Sequence, residues 1–392
     1  MIETGIPKLD DYLGGGIPEK KSLLFSIAPE VEESNLAIHV LHHNLQRGKR
    51  CIYVVSQSSS KQLAHSFREF GWDFEEYSDL LTVVDGYSRL IGTPSDEKFV
   101  ILEPHDILSY EDVVNELLEA QPGPAVVSFD SLSNIMDLCG ERETLQGISR
   151  INERISDKNG VAVYNFTSWP YKESILYRIQ RLFDAIVEID AVTGETYSGQ
   201  KYHLVKIGWN GQASKSVLFK VYRPGGIRIY VPKVMVMGPF RSGKTSFMKA
   251  LCDRHTSVDR MGSTIAVEHG TIDRPAYRAE VFGVPGQERF LPLVQKMKGV
   301  ASGALLVIDA TQPEQIPEAK KMAAELSEQH IPYVVAANKC DAPGAMGEEE
   351  IRRRMDAPET PVVPTAATTG EGVFKAFEML VEEIIGGESH AG

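Results

Sequence analysis

Short apolar runs recur through the first part of the chain, at Ser22–Ile27, Arg50–Val55, Leu81–Val84, Ala125–Phe129 and Val161–Phe166. Continuous runs of that length predict strands buried on both faces, as in a parallel sheet. Between them, Leu36–Gln46 and Glu111–Glu119 carry apolar residues at helical spacing. Two further runs, Lys201–Ile207 and Ser216–Tyr222, flank Asn210-Gly211, a dipeptide that favours the tight turn of a hairpin. Residues 1–230 therefore read as an α/β domain with an antiparallel addition at its end. Tyr222–Gly226 marks the approach to a boundary, and Ile227–Val231 is expected to close this domain.

A second alternation fills residues 231–392. The apolar stretch Val234–Met237 runs into a glycine-containing loop and then an amphipathic helix. A polar connection, Arg254–Ser263, precedes two strand-like runs, Ile265–Ile272 and Tyr277–Phe282. Ala304–Asp309 reads as a buried strand, Pro317–Gln329 as an amphipathic helix and Tyr333–Ala337 as another strand. The predicted fold class is α/β in two domains, each a mostly parallel sheet flanked by helices.

Composition narrows the setting. At 392 residues the chain is long for one domain, and with 42% hydrophobic and 24% charged residues each half can bury a core. Cys51, Cys139, Cys252 and Cys340 are widely spaced and form no C-x-x-C pair, so they read as reduced, structural thiols. There is no apolar run of membrane-spanning length, no basic-then-apolar leader and no prenylation cysteine near Gly392. A cytoplasmic protein without a membrane anchor is expected. The net charge of −13 disfavours nucleic acid as a partner.

The most specific chemistry lies at Gly238-Pro-Phe-Arg-Ser-Gly243-Lys244-Thr245, a G-x-x-x-x-G-K-[ST] loop between a strand and a helix. The glycines let backbone N–H groups converge on a polyphosphate, and the helix starting at Lys244 points its positive dipole end at the same anion. Lys244 is placed to neutralise phosphate charge and Thr245 to offer its hydroxyl to Mg²⁺. Arg241, Ser242 and Ser246 complete the candidate phosphate set. His39, His42 and His43 share one predicted helix, with His39 and His43 a turn apart; without an H-E-x-x-H register they are expected to face solvent rather than a metal.

The first half resembles the RecA-like ATPases of the KaiC group, on Thr4-Gly-Ile-Pro-Lys-Leu-Asp-Asp-Tyr-Leu-Gly-Gly-Gly-Ile-Pro18, Gln46-Arg-Gly-Lys-Arg-Cys-Ile-Tyr-Val-Val55 and Val127-Ser-Phe-Asp130-Ser-Leu-Ser133. Where that family carries its phosphate loop, this chain has Ile27-Ala-Pro-Glu30-Val-Glu32-Glu33-Ser34-Asn35, with Glu33 at the lysine position. Carboxylates there repel the ligand they replace cations for, and side chains block the close approach of backbone. The family's glutamate pair after the second strand reads Gln57-Ser58, and Asp130 remains as a lone strand-end carboxylate, a leftover more than a metal ligand. The resemblance implies a pseudo-ATPase domain.

The second half resembles a Ras-like small GTPase from Pro232 to about Ile385. Asn338-Lys339-Cys340-Asp341 is similar to the N-K-x-D guanine motif, whose carboxylate accepts from guanine N1–H and the 2-amino group, donors that adenine lacks. Lys339 is expected to lay its stem along the nucleotide. Thr365-Ala366-Ala367 resembles the loop whose backbone N–H meets the guanine O6, and Ala366 replaces the usual serine. Thr264 resembles the first-switch threonine that senses Mg²⁺, and Gly286 and Gln287 the second-switch glycine and water-orienting glutamine. The resemblance thus assigns Gln287, Thr264 and Lys244 to catalysis, and Thr245 and Thr264 to Mg²⁺. Gly283 stands where most members have an aspartate that supports Mg²⁺, a departure similar to the prokaryotic MglA-like group and its archaeal relatives, which work with roadblock-type regulators. Phe240 occupies a normally small position and is expected to crowd catalysis, while Arg241 either supplies positive charge or faces solvent. Arg352–Arg354 reads as a solvated helix face.

Together these readings predict an archaeal, GTP/GDP- and Mg²⁺-dependent switch with slow hydrolysis. Its RecA-like domain is expected to serve interaction or homo-oligomer assembly. The alternatives are a non-hydrolysing, nucleotide-bound scaffold and a RecA-like ATPase acting in signalling.

Overall fold

The computed structural model describes residues 1–31, 35–120, 123–193, 198–209, 215–257, 268–284 and 301–387. The chain forms two compact units, one of Met1–Val192 with Ser198–Arg228 and the other from Ile229 onward.

In the first unit the strands are β1 (Ser22–Ile27), β2 (Cys51–Val55), β3 (Leu81–Asp85), β4 (Phe99–Val100), β5 (Val126–Phe129), β6 (Val161–Thr167), β7 (Ala185–Thr193), β8 (Ser198–Ile207) and β9 (Val217–Tyr222). Their order across the sheet is β4-β3-β2-β5-β6-β1-β7-β8-β9. The central pairings are parallel, and β8 and β9 form the antiparallel addition. Every residue of β2 and β5 is buried, which is why these strands read as unbroken apolar runs. Helices Ile107–Ala120 and Glu141–Asp157 cover one face, where Tyr110, Val114 and Ile148 meet Ile52, Val54 and Phe129. The Asn210-Gly211 turn lies outside the described residues.

The histidines on the helix Ala37–Leu45 correct one expectation. His39 and His42 are buried, each 7% exposed, rather than solvent-facing. His42 stacks on Trp72 at 3.8 Å between ring centroids, and His39 meets Phe70 and Trp72 edge-on. The helix Ser60–Phe70 and the residues after it supply this aromatic cover, so the polar ring is spent on packing. His43 points elsewhere, to Glu3. The three rings share no common centre.

In the second unit the strands are β10 (Gly226–Met237), β11 (Arg254–Ser257), β12 (Glu268–Asp273), β13 (Tyr277–Gly283), β14 (Gly303–Asp309), β15 (Tyr333–Asn338) and β16 (Val362–Thr365). β10 pairs in parallel with β13 and β14, β14 with β15, and β15 with β16, while β11-β12-β13 is an antiparallel ribbon. Two expectations change here. The polar connection after the first helix contains a strand, β11, whose edge position tolerates its polar residues. Ile227–Val231 is not a separate closing strand. It is continuous with the strand leading to the phosphate loop, and Ile229–Val231 pair with Tyr277–Ala279. Pro232 would end a regular ladder, but the register shifts between Val231 and Val234, and the strand passes Pro232 at that irregularity.

Helices Lys244–Leu251, Ile316–Glu328, Glu348–Met355 and Val373–Gly387 flank this sheet. Arg352 and Arg354 pair with Glu348, Glu349 and Glu350 one turn away, a solvated face as its charges suggested. Among the described residues no helix is long and apolar enough to cross a membrane.

Candidate functional site

At the carboxyl end of β10 the chain turns through Gly238 at φ 151°. A Cβ there would lie 1.9 Å from the Val307 carbonyl oxygen, so no side chain fits. Gly243 closes the loop at φ 94°, and a Cβ would lie 2.3 Å from Asn338 Nδ2. These two glycines let the loop press against β14 and the end of β15, leaving its open side for a ligand. The helix that follows is anchored by buried Phe247, Met248 and Leu251.

Lys244 folds over the loop, with Nζ donating to the carbonyls of Gly238 at 2.8 Å and Pro239 at 2.7 Å. Burial pushes its pKa down to about 8, against the pull of Glu318 and Glu268. An anion in the loop would supply the charge that these carbonyls only partly balance. Ser242 is buried and its carbonyl accepts from Asn338 Nδ2 at 2.9 Å, while its hydroxyl has no partner among the described residues. Thr245 and Ser246 are exposed at the start of the helix. Thr245 Oγ1 donates to Glu268 Oε1 at 2.6 Å. Arg241 sits 5.3 Å over the Phe240 ring, which is 59% exposed. Gln315 Nε2 braces this loop by donating to the Phe240 carbonyl at 3.1 Å.

The candidate base-recognition segment reaches the same place. Asn338 Oδ1 accepts from the Ala367 N–H at 3.0 Å, so one carboxamide ties the phosphate loop to the loop after β16. Ala366 and Ala367 are buried, and the Ala366 N–H donates to the Glu371 carbonyl at 2.9 Å. Lys339 adopts a left-handed φ of 62° and its Nζ pairs with Asp309 Oδ2. Burial pushes the Asp309 carboxyl up, but hydrogen bonds from Lys339 and Thr311 outweigh it and hold the group below its ordinary value. Asp341 follows, exposed. The phosphate loop, Asn338, Lys339, Ala366 and Ala367 thus converge, with Asp341 two residues beyond Lys339. Thr264, Gly286 and Gln287 lie outside the described residues.

The corresponding end of the first unit differs. The peptide N–H of Ala37, at the start of the helix Ala37–Leu45, donates to Asn165 Oδ1 at 3.1 Å. Asn165 Nδ2 in turn donates to Asn35 Oδ1, and Asn35 bonds to the Tyr53 hydroxyl. The first amide of this helix is thus taken by a neighbouring side chain. Glu30 is exposed there, and Glu32 and Glu33 lie outside the described residues. Asp130 is held by hydrogen bonds within the protein. Oδ1 accepts from the Ser56 N–H and hydroxyl at 2.9 and 2.7 Å, and Oδ2 from the Gln57 N–H at 3.1 Å. Burial raises its pKa to about 6 despite these bonds.

A family model described as the KaiC ATPase matches residues 2–234. The chain belongs to the KaiC ATPase family. A second model, the elongation factor Tu GTP-binding domain, matches residues 230–385, so a KaiC-like domain is followed by a GTP-binding domain. A UPF0273 protein of Aeropyrum pernix is 32% identical over 137 residues, 34% of this chain and 55% of that protein. A UPF0273 protein of Pyrococcus furiosus is 31% identical over 120 residues, 30% of this chain and 49% of that protein. The chain spans about half the length of the curated relatives it matches. The crystal structure of a KaiC-like protein from Pyrococcus horikoshii aligns at 19% identity with a TM-score of 0.47, over 58% of this chain and 98% of that one.

Glu268, Asp309 and Gln315 are site residues that motif reading misses. Asp309 was legible as a carboxylate ending a buried strand. Glu268 and Gln315 carry no local signal, because each reaches the loop from a distant element.

Proposed function

We propose that this KaiC-family chain is a guanine-nucleotide switch whose RecA-like domain no longer hydrolyses ATP. The observation that carries the reading is the double hydrogen bond of Asn338, which joins a G-x-x-x-x-G-K-T loop to the N-K-x-D and T-A-A segments in one site. Guanine would be selected by the Asp341 carboxylate, and the phosphates would lie against Gly238–Ser246 with Lys244 turning from loop carbonyls to the anion. The pairing of the Thr245 hydroxyl with a carboxylate fits a Mg²⁺ site, which Thr245 and Thr264 would hold. Mg²⁺ supplies charge neutralisation between the β- and γ-phosphates when bound.

Gln287 would orient the attacking water. Hydrolysis is slow in this reading because Phe240 crowds the catalytic approach. The Gly283 departure favours the MglA-like group, and with it a roadblock-type regulator as partner. The loss of ATPase function rests on glutamates in place of a phosphate loop. The test is competition binding of GTP and ATP to full-length wild type and Lys244→Ala, followed by single-turnover hydrolysis. Wild type should hold GTP at least about 100-fold tighter than ATP, the scale set by two hydrogen bonds to a charged group, and Lys244→Ala should hold neither. Equal affinity for both nucleotides defeats the reading.

A further inference from the structure

Gly283 raises a question that the fold answers. β12 and β13 are antiparallel, and their register sets Glu268 directly opposite Gly283. A Cβ built on Gly283 would lie 2.5 Å from Met248 Sδ and 3.0 Å from Glu268 Cβ, with Glu268 Oε2 at 3.5 Å. The room that a side chain at position 283 needs is therefore filled from Met248 and Glu268. Glu268 directs its carboxylate at the helix Lys244–Leu251, where Thr245 Oγ1 donates to Oε1 at 2.6 Å. The second oxygen lies 3.2 Å from His255 Nε2 on β11. Neither side chain is loosely held, with Glu268 19% and His255 12% exposed.

We propose that Glu268 is the carboxylate partner of the Mg²⁺–nucleotide site, supplied across the strand ladder in place of an aspartate at position 283. A threonine hydroxyl has one proton and two lone pairs. With its proton committed to Glu268, the lone pairs of Thr245 are free to face a cation. A carboxylate behind a metal-ligating group fixes that group's orientation and raises its basicity, and loss of such a partner weakens the metal by roughly 10–100-fold. The exchange explains two residues at once: a carboxylate at 268 makes an aspartate at 283 redundant, and a glycine at 283 gives Glu268 its space. Acting through Thr245, Glu268 is a positioning residue. This inference rests on the nucleotide reading of the same site.

The test uses the full-length chain loaded with mant-GDP and chased with excess GDP across a range of free Mg²⁺. Wild type, Glu268→Gln and a distant control, Glu359→Gln, are compared, and Glu268→Asp asks whether a shorter carboxylate restores function. The free Mg²⁺ needed for half-maximal retention should rise roughly 10–100-fold in Glu268→Gln and stay at the wild-type value in Glu359→Gln. In EDTA all variants should release nucleotide at one rate. An unchanged Mg²⁺ midpoint in Glu268→Gln overturns the proposal. So does a rate difference that persists undiminished in EDTA, because it marks a role in the fold and not toward the cation. A parallel series with mant-ADP separates the two readings. Retention of mant-ADP in preference to mant-GDP defeats guanine selection, while the Mg²⁺ comparison on mant-ADP still judges Glu268. Retention of neither nucleotide by wild type defeats both.

Discussion

Asp341 stands exposed just past the left-handed turn at Lys339, with no structural duty comparable to that of Asn338. Its replacement therefore isolates base selection from stability. Asp341→Asn should lower guanine affinity by about 10²–10⁴-fold, the range for two hydrogen bonds to a charged group, and raise xanthine affinity. Competition with GDP and XDP measures both, and an unchanged ratio removes Asp341 from base recognition. This residue was legible because N-K-x-D is a local motif whose spelling follows the chemistry of guanine. Glu268 was not, because its meaning comes from register: it matters only as the residue facing Gly283 across two antiparallel strands. Asn165 was hidden for the same reason, lying far along the chain from the Ala37 amide it satisfies.

The helix Ala37–Leu45 shows at the next scale how packing overrides a surface-like spelling. Its histidines read as solvent-facing because imidazole is polar. The aromatic residues from Phe67 to Tyr77, which bury His39 and His42, come later in the sequence. Burial lowers the His39 pKa from 6.5 to about 3 and that of His42 to about 4. Both rings stay neutral in the fold and take a proton more readily once it opens. Their contribution is complete above pH 6.5 and is lost as pH falls toward about 4 and then 3. Asp130 acts the other way: with its pKa raised from 3.8 to about 6, it favours the fold as pH drops through that window. The two imidazole shifts together are the larger effect. Urea midpoints followed by tryptophan fluorescence should fall between pH 7 and pH 4.5, and the fall should be smaller in His39→Leu. An equal fall in the variant clears His39 of any part in it. Strand boundaries were largely legible, since β1, β2 and β15 are continuous apolar runs. β11 escaped because a short polar edge strand carries no apolar signature, and β10 read as two runs because Pro232 and Lys233 interrupt its apolar pattern.

For the whole molecule the decisive quantity is nucleotide per chain. A KaiC-like domain followed by a GTP-binding domain offers two candidate sites, and the proposed reading leaves one of them open to phosphate. Denaturing the purified, nucleotide-saturated protein and quantifying the released nucleotides should give about one per chain, all of it guanine. Two per chain, with adenine among them, would restore ATP binding to the first unit. The two-part organisation was plain in the sequence because each half opens with its own strand-loop-helix. What the sequence withheld was the network of Asn35, Tyr53 and Asn165 beside the helix Ala37–Leu45, since it joins side chains from separate strands and loops.

The carboxamide of Asn338 has a consequence for kinetics. One side chain already holds the Ser242 carbonyl and the Ala367 amide, so the loop before Lys244 and the loop after β16 are brought together when the chain folds. The ordering entropy of these segments is met at that stage, not at the moment of capture. Encounter with nucleotide then needs no assembly step between these loops, and differences in affinity among variants of this site are expressed as residence time.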